Sequence, residues 1–413
     1  MRIGLLHYSG PPTIGGVEQT MYYHGKALAD LGFEPTFIVG EGNVSTTWSQ
    51  VILIPHLFSR HPDVLAAKQE LDSGVVGDAY LRLRRTLMKD LPDQLDPFQV
   101  LIVHNALTLH KNLALTDVLW TLHQEERLPP MIGWHHDFAW ERADYSQELH
   151  QGFPWELLKK PWPGVVNVAV STAQQEALAH LYNIDPSKIN VIPPGIDPAI
   201  TGCWTELTEQ LVSKLGLLEA DVLFLLPARI TRRKNIEFAI KILAEIQHRV
   251  QQDIRLIISG PPGPHNPTNI AYLDSLLDLV EQLGMQDSIH FLYQIGPSPP
   301  LIVDDGTMAN LFDLCDALLF PSKDEGFGIP ILEAGLKRMP IFCSDLRPFR
   351  ESGQDQIYRF KLNDPPQRIA SKITDTLLRD RTYILRHRVR HQYTWRKIVK
   401  NKLIPIIERL TDV

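Results

Sequence analysis

Short apolar runs recur along this 413-residue chain with room for one helix between most of them, and that alternation is the tightest constraint on its fold. Residues 2–7 form such a run. A glycine- and proline-rich loop from Ser9 to Gly16 follows, then helical character over 17–31 and a second run at 34–39. Strand, loop, helix and strand within about forty residues make a βαβ unit, the opening of a doubly wound parallel domain. Further runs at 100–103, 130–134, 165–170 and 189–192 continue it, and those at 222–226, 254–259, 289–292 and 317–320 repeat the pattern. Between them Pro193-Pro-Gly-Ile-Asp197 is a cluster of turn formers, which places a domain boundary there. We expect α/β architecture with one domain over 1–196 and another over 197–393, since a chain of this length can bury two ordinary cores.

One stretch reads as a binding loop. The apolar run 317–320 leads into Pro321-Ser-Lys-Asp-Glu-Gly-Phe-Gly-Ile-Pro-Ile-Leu-Glu-Ala-Gly335, where Pro330 opens a set of helix formers. A strand, a glycine loop and a helix start suit an anion, because backbone N–H groups and the positive end of the helix dipole face outward. Gly326 and Gly328 let a ligand approach the backbone near Phe327 and Ile329. Glu325 and Glu333 flank this loop. Carboxylates repel phosphate but accept well from hydroxyls, so the expected ligand carries both phosphate and sugar.

Glu325-Gly-Phe-Gly-Ile-Pro-Ile-Leu-Glu333 resembles the E-x7-E signature of retaining GT-B glycosyltransferases of group 1, the glycosyltransferase family 4-like enzymes. Other segments resemble that family in the same order. Gly15-Gly16-Val17-Glu18 looks like its GG-x-E loop, His136-Asp137 like its active-site HD pair, Pro194-Gly-Ile-Asp197 like its linker segment, and Arg229 with Lys234 like its R-x4-K pair. The resemblance implies two Rossmann-like domains facing across a cleft, with a C-terminal helix over about 394–413 crossing back to the first. It implies a metal-independent hexosyltransferase that moves a sugar, such as mannose or glucose, from a GDP- or UDP-sugar to a hydroxyl acceptor with retention of configuration. Glu325 would lie by the donor sugar and Glu333 by the ribose. Gly15, Gly16, Arg229, Lys234, Phe327, Gly328 and Ile329 would meet the diphosphate, and His136 the sugar or leaving group. Arg338 departs from the pattern by standing where the family has glycine after the helix, which puts that helix end in question.

Alternatives stay open at several residues. His135 competes with His136, and either is also readable as a structural histidine. A zinc site is a further reading of the pair, although no H-x3-H or C-x2-C frame accompanies it. Trp134, Phe138 and Trp140 read as core or as a sugar-stacking surface. Arg232 and Arg233 read as solvated neighbours of the R-x4-K pair. A nucleotide-sugar epimerase or phosphorylase, or a non-catalytic sugar-nucleotide-binding protein, would suit the same scaffold.

Composition excludes some classes. A net charge of -7 disfavours a dedicated nucleic-acid binder. Cys203, Cys315 and Cys343 are scattered, which with no signal peptide leads us to expect a cytoplasmic protein. The run 51–55 is too short to span a bilayer. Arg82, Arg85 and Lys89 on one helix face read as a solvated basic face, with membrane or acceptor contact as the alternative, and the seven Lys/Arg over 386–402 allow peripheral membrane contact because they run into the amphipathic stretch 398–410.

Overall fold

The computed structural model describes residues 1–12, 15–42, 46–295 and 300–411. Thr13 and Ile14 of the expected Ser9–Gly16 loop lie outside the described residues, as do the last two positions of the expected C-terminal helix. The chain divides into two compact units, Met1–Ile196 with Tyr393–Val413, and Asp197–Gln392.

The first unit is a parallel seven-stranded sheet: β1 Arg2–His7, β2 Glu34–Val39, β3 Gln50–Leu53, β4 Val100–His104, β5 Met131–His135, β6 Val166–Ala169 and β7 Ile189–Val191, in the order β3-β2-β1-β4-β5-β6-β7. Along β4, Leu101 and Val103 join the core on one face of the sheet, while Val100 and Ile102 join the core on the other. Burial on both faces explains why the run is uninterrupted apolar sequence rather than alternating. β3 falls between 40 and 99, where the sequence shows no regular alternation of runs. It is four residues long and soon followed by Pro55, so its signal stays below that of its neighbours.

The second unit repeats the design with six parallel strands: β8 Val222–Leu226, β9 Ile254–Ile258, β10 Ile289–Phe291, β11 Ala317–Phe320, β12 Ile341–Ser344 and β13 Tyr358–Phe360, ordered β10-β9-β8-β11-β12-β13. In each unit the first and fourth strands are neighbours and the order reverses between them. That switch point is where doubly wound sheets bind ligands, beyond the carboxyl ends of the strands.

The C-terminal segment packs into the first unit. Ile196 N–H donates to Tyr393 O (2.8 Å), Trp395 N–H donates to Ile196 O (3.2 Å), and Trp395 stacks on Tyr23 at 5.4 Å. Beyond it Ile398, Val399, Leu403, Ile406 and Ile407 are buried in the first unit's core. The amphipathic stripe that allowed membrane contact is therefore spent on this packing. The helix Asp78–Asp90 buries Leu83 and Leu87 and leaves Arg82, Arg85 and Lys89 exposed, while Arg84 pairs with buried Asp117 at 2.6 Å. Among the described residues no helix is long and apolar enough to cross a membrane. Cys315 and Cys343 are buried, Cys203 is exposed, and all three are free thiols.

Candidate active site

In the second unit the loops after β8 and β11 are tied together. Asn235 Nδ2 donates to Pro321 O (3.1 Å), and Lys323 N–H donates to Arg233 O (2.7 Å). Asn235 adopts the left-handed region (φ 55°) between the short turn Arg232–Lys234 and the helix Ile236–Arg249, a conformation that asparagine tolerates. Neighbouring Gly260 is fixed by close approach: a Cβ there would sit 2.4 Å from Ala228 O and 2.7 Å from Arg229 N. The prolines after it have a use as well, since Ile230 N–H donates to Pro261 O (2.9 Å) and holds the Arg229 loop.

These ties bring Lys234 to Glu325. The lysine ammonium donates to Glu325 Oε1, Ser322 Oγ donates to the same oxygen (2.8 Å), and Arg233 donates to Oε2 (3.1 Å). Both partners of the lysine–glutamate pair are about nine-tenths buried, with side-chain exposures of 10% and 9%. Burial alone would raise the Glu325 carboxyl, but hydrogen bonds from Lys234 and Ser322 and the charges of Lys234 and Arg233 outweigh it and hold it below the usual glutamate range. Burial pulls the Lys234 ammonium below the lysine range against the opposing pull of Glu325. Arg233 is thus an ion-pair partner rather than the solvated neighbour expected from sequence. Arg232 lies over the Tyr272 ring at 4.9 Å. Arg229 is exposed and has no partner among the described residues.

The glycine loop turns into the helix Ile329–Leu336 through Gly328 at φ 99°. A Cβ at Gly328 would meet the Phe349 ring at 2.8 Å, so this glycine serves conformation and packing, whereas Gly326 faces open space. The backbone N–H groups of Gly326, Phe327, Gly328 and Ile329 have no acceptor among the described residues. Free donors at the start of a helix are suited to an anion. Glu333, on an exposed helix face, has no hydrogen-bond partner there; partial burial, then Asp305, raises its carboxyl above the usual range. Arg338 takes the left-handed conformation (φ 55°) after this helix, so the turn keeps the geometry that glycine would give.

In the first unit the carboxyl ends of β1, β4 and β5 gather histidines. His135 is fully buried and satisfied by Asn167 (2.9 Å) and Thr108 (3.2 Å). His136 is partly exposed and its Nε2 has no partner among the described residues. Asn105, left-handed at φ 59°, accepts the N–H groups of His136 (2.9 Å) and Asp137 (3.0 Å) and so fixes the loop. Burial, reinforced by His7, pushes His136 down to about 4, so its ring is neutral at pH 7. Trp134 and Phe138 are core, and Trp140 is packed against it. Gly15 precedes the helix Gly16–Asp30, and a Cβ on it would strike the Glu18 carboxylate at 2.1 Å; Gly16 is open to solvent. Ser9 Oγ donates to Glu18 Oε1 (2.7 Å), tying this helix start to the loop after β1.

Asn105, Ser322, Arg233, Asn235 and Gly260 were not singled out from sequence as parts of these sites. For the two asparagines a signal exists, because each stands between a strand end or turn and the next element, where a left-handed residue is needed.

Comparison with known proteins follows the same division. The family described as Glycosyltransferase Family 4 matches residues 14–200, and the family described as Glycosyl transferases group 1 matches residues 208–393. A mannosylglucosylglycerate synthase from Petrotoga mobilis is 24% identical over 371 residues, 85% of this chain and 84% of that protein. D-inositol 3-phosphate glycosyltransferases from Stackebrandtia nassauensis and Kineococcus radiotolerans are 28% and 29% identical over 180 and 192 residues. Those matches span 43% and 46% of this chain but only 38% and 41% of the two relatives.

Proposed function

This chain belongs to the group 1 glycosyltransferases of GT-B fold and uses a nucleotide-sugar donor, and we propose that it transfers a hexosyl group with retention of configuration to a small, anionic, hydroxyl-bearing acceptor. The donor half rests on Arg229 and Lys234 in the loop after β8 and on four free backbone N–H groups in the loop after β11, the two strands that flank the switch point of the second unit. As the glycosidic bond to the nucleoside diphosphate breaks, negative charge grows on the departing oxygen. Fixed donors aimed at that charge are the largest contribution expected in such a site.

Lys234 keeps two ammonium hydrogens for the diphosphate while Glu325 holds the third. Glu325, neutralised by its cations, accepts from sugar hydroxyls at its remaining lone pairs. Glu333 faces outward with both oxygens free, the arrangement a ribose diol requires. His136 is neutral at pH 7, so its role is a hydrogen bond to the sugar rather than general acid catalysis. The departing phosphate takes the acceptor's proton, with attack on the face the leaving group vacates. Cationic side chains already meet the diphosphate charge, so turnover is expected to persist in chelator.

Mannose and glucose remain the leading sugars. The relatives' names support this acceptor class, since glucosylglycerate and inositol 3-phosphate are both polyhydroxylated anions. A panel of GDP- and UDP-sugars, read by nucleoside diphosphate release with and without such acceptors and by the anomeric proton couplings of the product, tests each part. Arg229→Ala should lower kcat/KM by about 10- to 100-fold, the worth of one charge-assisted phosphate bond, without changing stability. Full turnover in that variant, or product with inverted configuration, would overturn the assignment.

A further inference from the structure

The helix Arg381–Gln392 carries His387 and His391 one turn apart, an H-x3-H pair on a single face, and both rings point at Asp221, the residue before β8. His387 Nε2 lies 3.2 Å and His391 Nε2 3.7 Å from Asp221 Oδ1. One donor atom from each of the three residues falls within 4.8 Å of the others. In a tetrahedral zinc site with bonds of about 2.0–2.1 Å, neighbouring ligand atoms stand about 3.4 Å apart. The observed spacings bracket that edge length.

We propose that Asp221, His387 and His391 bind one divalent transition-metal ion, with water at the fourth position. Two imidazoles and one carboxylate are a donor set that suits zinc or cobalt. The carboxylate is already oriented, since Asp221 Oδ2 accepts the N–H of Asp253 at 2.8 Å. All three residues are partly exposed, which gives the ion a way in. Arg390 on the same helix is neutralised by buried Asp316, to which it donates at 2.9 and 3.3 Å, and it also donates to Asp221 O at 2.7 Å. Two contacts change hands: His391 Nε2 stands 3.2 Å from Ala220 O and His387 Nε2 3.2 Å from Asp221 Oδ1, and both N–H···O contacts give way to the metal.

The site lies at the amino end of β8, the strand whose carboxyl end bears Arg229, so its consequence is structural. It clips the last helix of the second unit to the start of that unit's first strand. A second group, His56, His61 and Asp63, belongs to the first unit and serves as the control.

The experiment uses the full chain without a histidine tag, freed of metal by chelator and titrated with zinc and with cobalt. The expected result is one saturable equivalent, the visible absorption of tetrahedral cobalt, and a rise of several degrees in the unfolding temperature. All three are expected to vanish in His387→Gln and His391→Gln and to survive in a His56→Gln/His61→Gln double variant. The glutamine variants should unfold at the metal-free wild-type temperature, which shows that they fold. Absence of saturable binding, or binding that survives in the His387→Gln/His391→Gln double variant, would overturn the proposal.

Discussion

Glu325 and Lys234 hold two loops together that are 91 residues apart in sequence, and breaking that pair should cost more stability than its single contact suggests. Removing one member of a buried pair leaves the other charged and unsatisfied, at about 3–5 kcal/mol. Glu325→Ala should fall near the lower end, about 3 kcal/mol, because the pair keeps some water contact and Arg233 is half exposed. Lys234→Met should cost less, about 2 kcal/mol, since Glu325 keeps Arg233 and Ser322. The double variant leaves no uncompensated charge, so it should be no worse than Glu325→Ala alone, giving a coupling of about 2 kcal/mol.

Trp204 is the single tryptophan of the second unit, so fluorescence would report mainly the first. Denaturant-dependent hydrogen exchange of the β8 and β11 amides reads the correct unit. The pH dependence has a definite sign. A carboxyl depressed in the folded state adds stability that is complete above its unfolded value near ~4.3 and lost as pH falls through the lower folded value. Coupling should therefore be equal at pH 7 and pH 5 and decline only in stronger acid. Additivity of the two single variants within about 0.5 kcal/mol would refute the reasoning.

Other perturbations follow from single residues. Gly328→Ala meets both a positive φ and the Phe349 ring, so it should cost about 3 kcal/mol in the second unit, measured by the same exchange experiment. Arg338→Gly relieves a left-handed arginine and should stabilise that unit by about 0.5–1 kcal/mol, read from its calorimetric transition. In the first unit buried His24 and His135 and partly exposed His136 are all lowered, the last two to about 4, so the unfolded chain binds protons that the folded one refuses. Stability should fall as pH drops from about 6.5 towards 4, by about 1.4 kcal/mol per pH unit for each such histidine, and a flat calorimetric profile between pH 7 and pH 5 would contradict this.

Much of the architecture was legible because burial on both faces of a parallel strand forces an unbroken apolar run, and β4, β8 and β11 are such runs. The run 51–55 was visible as apolar, but β3 did not read as a strand because its four residues are too short and too near a proline to show a period. The donor loop was legible as glycine, proline and carboxylate, all local signals. Its wiring was not, because the partners of Glu325 are set by strand order, and no local pattern reveals that β8 and β11 are neighbours. The same reason hid Asp221 from His387 and His391, which lie 166 and 170 residues further on. The C-terminal amphipathic stripe was ambiguous in principle: Ile398, Leu403 and Ile407 present the same periodic face to a lipid surface or to a protein core.

The return of residues 393–411 to the first unit has a consequence for how the chain is made. Residues 197–392 form an inserted body, complete in sequence before its host is. On the ribosome, Tyr23 and His24 must wait for Trp395 until residues 197–395 have been translated, about 10–40 s at ordinary elongation rates. The part synthesised first is therefore finished last, and during that interval an aromatic patch on the nascent first unit stands open to chaperones and to neighbouring chains.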